Sequence, residues 1–320
     1  MANKNWYDRF METLNKKFPK NALLVQALVD LLPIEKEAVY RRLRRDVFFT
    51  SEEIAKISFA WNISMDKIVG VDSDKVNFQM YPVNFYDPKK SDLDYLQKTI
   101  QLFSRLKEGV FSEYIEVCNK IPRSLFVRFP HIRNFYKFIW MYKYDSENNE
   151  VPYSKVVFSE QMQKIMSDYV ISTGNITEMH YIFDKSIFND FIDDVRYFHE
   201  IDLIIGEEKE LIKKDLLKLL EFLSDATKTG IFPDTKNKIY LYVSHINIDT
   251  SYSSFCTDDY KVFRVHIFGE YESKNYDATT VLNFKKLLQS KKHTAYKISA
   301  DDEKSRKKYF SEQRELIEGF

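Results

Sequence analysis

Residues Asn21–Asp46 read NALLVQALVDLLPIEKEAVYRRLRRD, and the punctuation of this stretch decides the reading of the N-terminal region. Leu23, Leu24, Ala27, Leu28, Leu31 and Leu32 recur at the i, i+3/i+4 spacing of an amphipathic helix, with Asn21 placed as N-cap. Pro33 then stops the helix, because proline cannot continue it and biases the residue before it away from helical dihedrals. A second helix begins at once, from Glu35 or Lys36. Two helices joined by so short a turn, with Ile34 as an inward wedge, form a helix-turn-helix.

The second helix sorts by angle at roughly 100° per residue. Val39 and Leu43 face inward. Lys36, Glu37, Tyr40, Arg41 and Arg44 spread over the opposite side. The twelve residues from Glu35 to Asp46 hold five bases, whereas the whole chain balances 48 basic against 48 acidic side chains. Residues 1–70 carry 12 Lys/Arg against 9 Asp/Glu. Any pull on nucleic acid must therefore come from this local patch and not from net charge. Phosphates and guanine edges both favour Arg or Lys, Glu37 can accept from cytosine N4, and Tyr40 can meet a thymine methyl or a phosphate.

Downstream, Thr50-Ser-Glu-Glu53 has the form of a capping box. It starts a helix with Ile54, Ile57, Ser58 and Trp61 on one stripe. Asn62-Ile63-Ser64 ends that helix, and Ser64 caps a short last one ending near Gly70. In this order of features, carried by Leu28, Leu32, Ile34, Val39 and Leu43 with AVYRRLRRD, TSEEIAKI and NISMDKIVG, Phe18–Gly70 resembles the lambda-repressor-like (Xre-type, more narrowly BetR-like) helix-turn-helix regulators of bacteria. Three positions depart from the family pattern. Val29 stands at a usual alanine, Pro33 at the turn glycine, and Arg45 where a glycine often ends the recognition helix. The resemblance implies double-stranded DNA as partner. It places Lys36, Glu37, Tyr40 and Arg41 at base-reading positions and Arg44, Arg45 and Thr50 at phosphates.

The remaining chain is less explicit. Residues 71–91 hold two prolines and read as a linker, though Val76, Phe78, Met80, Phe85 and Tyr86 suggest that it lies against a surface. Helical patterns fill 92–230: LDYLQKTIQLFSRLKEG, FSEYIEVCNKI, an aromatic segment over Ser124–Tyr144, then Asn189–His199 and the leucine-rich Glu207–Asp225. From Ile231, KIYLYVSHINID, DDYKVFRVHIFGEY and HTAYKIS alternate as half-buried strands do. Helices follow at Ala278–Gln289 and Asp301–Glu318. The expected architecture is mostly α: an all-α domain over 1–70, the linker, and an α-rich α+β region with a small antiparallel sheet, its 92–230 and 231–320 parts forming one domain or two.

Several function classes fall away. Seven glycines in 320 residues, none spaced as GxGxxG or GxxxxGK[ST], leave no Gly-rich phosphate loop. Six histidines show neither HxxxH nor HExxH spacing, so no metal site is expected, nor any cofactor. Asp193-Asp194 with His199 reads as a solvated turn more readily than as a carboxylate–His pair. Self-cleaving repressors cut at Ala-Gly or Cys-Gly, and no glycine here follows Ala or Cys. No catalytic residue is expected. The Ser124–Tyr144 run contains Arg128, Arg133, Lys137 and Lys143 and is too charged for a membrane span. Two distant cysteines and a polar N-terminus predict reduced thiols and a cytoplasmic location. The expected function is a sequence-specific transcriptional regulator acting as a homodimer, without a membrane partner. Its C-terminal region would dimerise and respond to an unnamed small-molecule or protein effector. The rival from another class is a non-enzymatic adaptor whose C-terminal region binds protein.

Overall fold

The structure, a computed structural model, describes residues 5–61, 63–69, 76, 78–80, 88–106, 109–144, 151–267, 271–299 and 302–320. The chain divides into two compact units, Met1–Asn77 and Phe78–Phe320. Asn62, Gly70 and most of the expected linker lie outside the described residues. Of the linker, Phe78 packs against Phe263 and Phe284 at ring-centroid distances of 6.1 and 5.9 Å.

The N-terminal unit has five helices: α1 (Trp6–Lys17), α2 (Asn21–Leu31), α3 (Lys36–Leu43), α4 (Ser51–Trp61) and α5 (Met65–Val69). Asn21 is the first residue of α2, not its cap, which is Lys20. The α1 helix precedes the stretch that resembles the regulator family. It buries Tyr7, Phe10, Met11 and Leu14 at helical spacing. Their partners are Leu24, Val25, Leu28, Val39, Ile54 and Ile57. Each such side chain contributes about 1.5–3 kcal/mol on leaving water. Tyr7 also anchors the loop after α3, its hydroxyl accepting the Phe49 N–H at 3.0 Å.

The C-terminal unit is built on one eight-stranded sheet. Its elements run β1 (Gln79–Met80), α6 (Pro88–Ser104), β2 (Glu113–Cys118), α7 (Arg123–Phe126), α8 (Pro130–Tyr144), α9 (Glu160–Thr173), β3 (Glu178–Phe183), α10 (Ile187–Glu200), α11 (Gly206–Thr229), β4 (Lys238–Ser244), β5 (Tyr252–Cys256), β6 (Lys261–Ile267), β7 (Tyr271–Asn275), α12 (Ala278–Ser290), β8 (Ala295–Lys297) and α13 (Glu303–Glu318). The strand order is β1-β7-β6-β5-β2-β3-β4-β8. The pairs β2–β3 and β3–β4 are parallel and every other pair is antiparallel.

The expectation of a mostly α chain with a small antiparallel sheet is therefore wrong. The sheet is large and mixed, and the fold is mixed α/β. The error has a physical source. FSEYIEVCNKI, read as a helix, contains β2, and all six residues of that strand are buried. A parallel strand covered on both faces loses the in-out alternation by which strands are recognised.

Helices cover both faces. Tyr114, Cys118, Met179, Tyr181, Phe183, Ile239, Leu241 and Val243 belong to the larger core, with α6 to α11 and α13. Ile115, Val117, Ile182, Cys256 and Phe263 meet Val281 and Leu288 of α12 on the other side. The α11 helix buries Ile212, Leu216, Leu219, Leu220 and Leu223 against this same unit, and the Ser124–Tyr144 segment buries Phe129, Ile132, Phe135, Phe138 and Trp140. Both apolar faces are packed inside their own unit.

Candidate functional site

The α3 surface carries the residues singled out for DNA. Val39 is fully buried and anchors the helix. Tyr40 is half-buried against the N-terminal core, so its ring does part of the packing. Lys36, Glu37, Arg41, Arg44, Arg45 and Thr50 are exposed. Arg44 Nη2 lies 3.2 Å from Glu37 Oε1 and its Nε 3.0 Å from Asp46 Oδ2. Arg45 pairs with Asp8 of α1. Lys36 and Arg41 have no ion pair among the described residues. Arg45 has φ 67°, the left-handed conformation that usually falls to glycine after a helix.

Arg42 has a different task. Its Nε and Nη2 reach Glu53 Oε2 and Oε1 at 2.8 and 2.7 Å. Glu53 Oε2 also accepts the Thr50 N–H at 2.8 Å, and Thr50 Oγ1 accepts the Glu53 N–H at 3.2 Å. The capping box thus closes and is bolted to α3. Partial burial would raise the Glu53 carboxyl, but the Arg42 and Thr50 hydrogen bonds hold it below its ordinary value. Thr50, one of the positions expected at a phosphate, thus has its backbone N–H and hydroxyl engaged in the cap of α4.

The C-terminal unit contains a cavity of about 420 Å³ outside the carboxyl end of β2. There the sheet passes from parallel to antiparallel pairing, because β2 has β3 on one side and β5 on the other. Crevices outside strand carboxyl ends are common ligand sites in open α/β sheets. The floor comes from Tyr114 and Glu116 of β2, with His266 of β6 and Glu272 of β7 beside them. Tyr136, Trp140 and Lys143 of α8 lie opposite, the connection from β2 to α7 supplies Lys120, and the first residue of α7 is Arg123.

Strand register explains the floor. Glu116 pairs with Ser253, Ser253 with Arg264, and Arg264 with Lys274, one polar row across four strands. One pleat along, His266 pairs with Glu272. Glu272 lies 3.3 Å from Arg264 Nε and 3.2 Å from Lys274 Nζ, and accepts the Tyr95 hydroxyl at 2.9 Å. Burial alone would raise Glu272, but Arg264 leads a set of partners that pulls it down to about 2. Glu116 has no Lys or Arg within ion-pair distance among the described residues, and Arg264 lowers it less than burial raises it. Burial, helped by the Glu272 charge, pushes it up to about 8, although the Tyr114 hydroxyl donates to its Oε2 at 2.9 Å. Burial also lowers His266. At neutral pH the floor therefore holds a neutral carboxyl, a neutral imidazole and a compensated ion network.

Ser253, His266 and Glu116 share a neighbourhood but do not form a nucleophilic triad. Ser253 Oγ and Glu116 Oε1 both approach Nε2 of His266, at 3.3 and 3.9 Å, whereas relay requires opposite ring nitrogens. Ser253 is also fully buried. Asp193 and His199 do not pair either. Asp193 meets Arg196, and His199 Nδ1 contacts the Ile204 carbonyl oxygen at 2.7 Å. Among the described residues no group of three His, Cys, Asp or Glu is arranged to hold a metal ion. Both cysteines are free and buried, and no helix among the described residues is long and apolar enough to cross a membrane.

None of the cavity's polar groups was singled out in the sequence. The usable signal was Tyr114 and Glu116 flanking an apolar residue in EYIEVC, which becomes visible only once that stretch is taken as a strand. Family models, curated proteins and solved structures were compared with the chain, and none matches it.

Proposed function

We propose that the protein is a sequence-specific DNA-binding transcriptional regulator, working as a homodimer, whose C-terminal unit receives an effector. The observation that carries this reading is the α3 surface. Lys36, Glu37 and Arg41 stand exposed on α3 and Arg44 and Arg45 just after it, while Arg42 is the shielded one, held to Glu53. A helix retained for solvation alone has no use for a bolt that fixes it against the next helix and orients its basic face. Docking would be by Arg44, Arg45 and Thr50 on phosphates, with Lys36, Glu37, Tyr40 and Arg41 toward base edges. Selection of a bound duplex from a random pool by the full chain, followed by titration at several salt concentrations, tests it. Enrichment of one two-fold motif, with affinity falling steeply with salt, is the expected result. No enrichment above the starting pool would sink the reading.

The adaptor alternative draws on one observation. In the C-terminal unit, which would bind protein, Val157 is 78% exposed and Ile171 68%. Isolated exposed apolar residues are ordinary on soluble proteins, so this surface ranks second.

A further inference from the structure

The cavity at the end of β2 sets flat rings beside polar atoms that the surrounding protein leaves unpaired. Phe126 and Tyr136 stack at 4.4 Å between ring centroids, and Trp140 lines the same space. Two buried polar side chains of the lining each have an atom without a hydrogen bond among the described residues. Glu116, 4% exposed, engages Oε2 with the Tyr114 hydroxyl, while Oε1 meets His266 Nε2 only at 3.9 Å, beyond hydrogen-bond reach. Tyr169 of α9, 5% exposed, has no hydrogen-bond partner for its hydroxyl among the described residues. Burial keeps both groups neutral at pH 7, pushing the Tyr169 hydroxyl up to about 12 and Glu116 to about 8. A neutral carboxyl and a phenol can each donate or accept. The cations of the wall have contacts of their own. The Arg123 guanidinium lies over the Tyr95 ring at 5.1 Å, and Lys143 and Lys120 act on the Asp194 carboxyl of α10 against the cost of its burial. A volume of about 420 Å³ lies at the small-molecule end of ligand pockets, which run from roughly 300 to 1,000 Å³.

We infer that this cavity binds a small uncharged nitrogen heterocycle of the nucleobase class, its ring on the Tyr136 and Trp140 side and its edge of donors and acceptors toward Glu116 Oε1 and the Tyr169 hydroxyl. The inference rests on the effector role proposed above for this unit. A purely apolar ring would suit the aromatic wall but would seal both polar atoms away from water unpaired, a lost hydrogen bond at each. A phenol offers a single hydroxyl to two atoms. A nucleobase carries ring nitrogens, N–H groups and carbonyl oxygens or amines in one rigid plane, so it meets both atoms without freezing a flexible chain. A benzoate-like anion would surrender the hydration of its carboxylate to a floor whose unpaired atoms are neutral.

Calorimetry on the full chain, without DNA, tests this directly. The probes are adenine, hypoxanthine and uracil, with toluene, phenol, benzoate and tyramine as comparisons. Saturable binding of at least one base is expected, with every comparison compound weaker by about tenfold or more. Inosine beside hypoxanthine separates the two sources of such an edge: binding of both assigns a nucleoside, binding of hypoxanthine alone a free base. Tyr169→Phe deletes only the unpaired hydroxyl and keeps the ring, so it should weaken the bound base by about tenfold without lowering the melting temperature. Glu116→Leu should weaken it as much, with the fold checked by circular dichroism. Any comparison compound binding as tightly as the bases would overturn the assignment. So would no binding by any of the three bases, or an affinity unchanged in either variant. Because DNA is absent from the assay, failure here leaves the DNA-binding reading standing, and failure to bind DNA leaves this one standing.

Discussion

Arg42 holds Glu53 by two parallel hydrogen bonds of 2.8 and 2.7 Å, across the junction between the helix that presents the basic face and the helix that follows it. Both side chains are largely shielded, at 14% and 11% exposure. Removing one partner leaves the other charge poorly compensated. Arg42→Ala should therefore lower the stability of the N-terminal unit by about 2 kcal/mol, whereas Arg41→Ala should leave it nearly unchanged. Urea denaturation of the two variants compares them. Glu53 is held below its unfolded value, so the stabilisation is complete above the unfolded pKa and disappears as pH falls through the folded one. The difference between wild type and Arg42→Ala should therefore shrink in acid. A difference constant from pH 7 to pH 3 would show that the pair does not supply it.

Arg44 shares its guanidinium between Glu37 and Asp46 at an exposed position. Such a pair is weak in water, and a phosphate could displace it. Arg44→Ala or Arg45→Ala should weaken binding to all duplexes alike and flatten the slope of log K against log salt by roughly one unit per lost contact. Glu37→Gln should act oppositely on random DNA, because it frees Arg44 and removes a negative charge from the docking face. An unchanged slope in both arginine variants would mean that neither touches phosphate.

Lys36 and Arg41 carry no ion pair among the described residues, which leaves them available for base edges. Alanine at either should cost about 1–3 kcal/mol on the selected site and much less on random DNA. Equal losses on both would show this helix docking on backbone only.

How much of this was legible in the sequence differs between the two units for a physical reason. Each N-terminal helix is covered on one face alone, so Leu24, Leu28, Val39, Ile54 and Ile57 keep the helical period and the turn at Pro33 shows between them. The C-terminal sheet is covered on both faces. Glu116 then sits in a wholly buried strand and imitates the solvent face of a helix. Arg264 imitates the outward residue of a half-buried strand, yet it is 5% exposed and ion-paired with Glu272 on the next strand. What makes the cavity is register among β2, β5, β6 and β7, segments up to about 160 residues apart in sequence, and single-sequence periodicity does not carry register. The leucine stripe of α11 was plain, but whether it met its own core or a second copy depended on α8 and α13, which pack against it.

Glu116 offers a pH test of the buried row. Its folded pKa of about 8 lies above the ordinary 4.5, so the folded state keeps a proton that the unfolded chain loses. Neutral on both sides below the ordinary value, the group costs nothing there. Its cost grows as pH rises from about 4.5 toward 8 and then levels off. Tyr114, Tyr169, Tyr181, Arg264 and Glu272, which surround it, retain their protonation states through that window, whereas His266 is held below its ordinary 6.5 by burial. Glu116→Gln should therefore gain stability at pH 7, on the order of 2 kcal/mol, and gain little at pH 4. Infrared spectra should show a protonated carboxyl band at pH 7 in wild type that is absent in Glu116→Gln. A wild-type protein with no such band would mean that Glu116 is ionised and the cavity floor charged.

A single helix-turn-helix makes too few base contacts to select one site in a genome, and the usual solution is a two-fold dimer reading half-sites about 34 Å apart. The N-terminal unit has its own closed core, from Tyr7 to Ile68. Its exposed apolar side chains, among them Leu23, Phe48 and Phe59, are dispersed over α2, the loop after α3, and α4. Fragment 1–77 should thus fold alone, sediment as a monomer and bind the selected duplex orders of magnitude more weakly than the full chain. The full chain should sediment as a dimer through its C-terminal unit. The contact cannot use the stripes of α11 and α8 that are already buried, so it must use the outer surface, where Val157, Ile171, Ile246 and Leu287 are exposed. Aspartate at Phe59 should leave both assembly states unchanged, while aspartate at whichever of Ile171, Ile246 or Leu287 lies in the contact should give a full-length monomer with fragment-like affinity. Sedimentation at micromolar concentration separates the outcomes. A monomeric full chain that still binds the two-fold site tightly, or a dimeric fragment, would show that selectivity is achieved without the C-terminal contact.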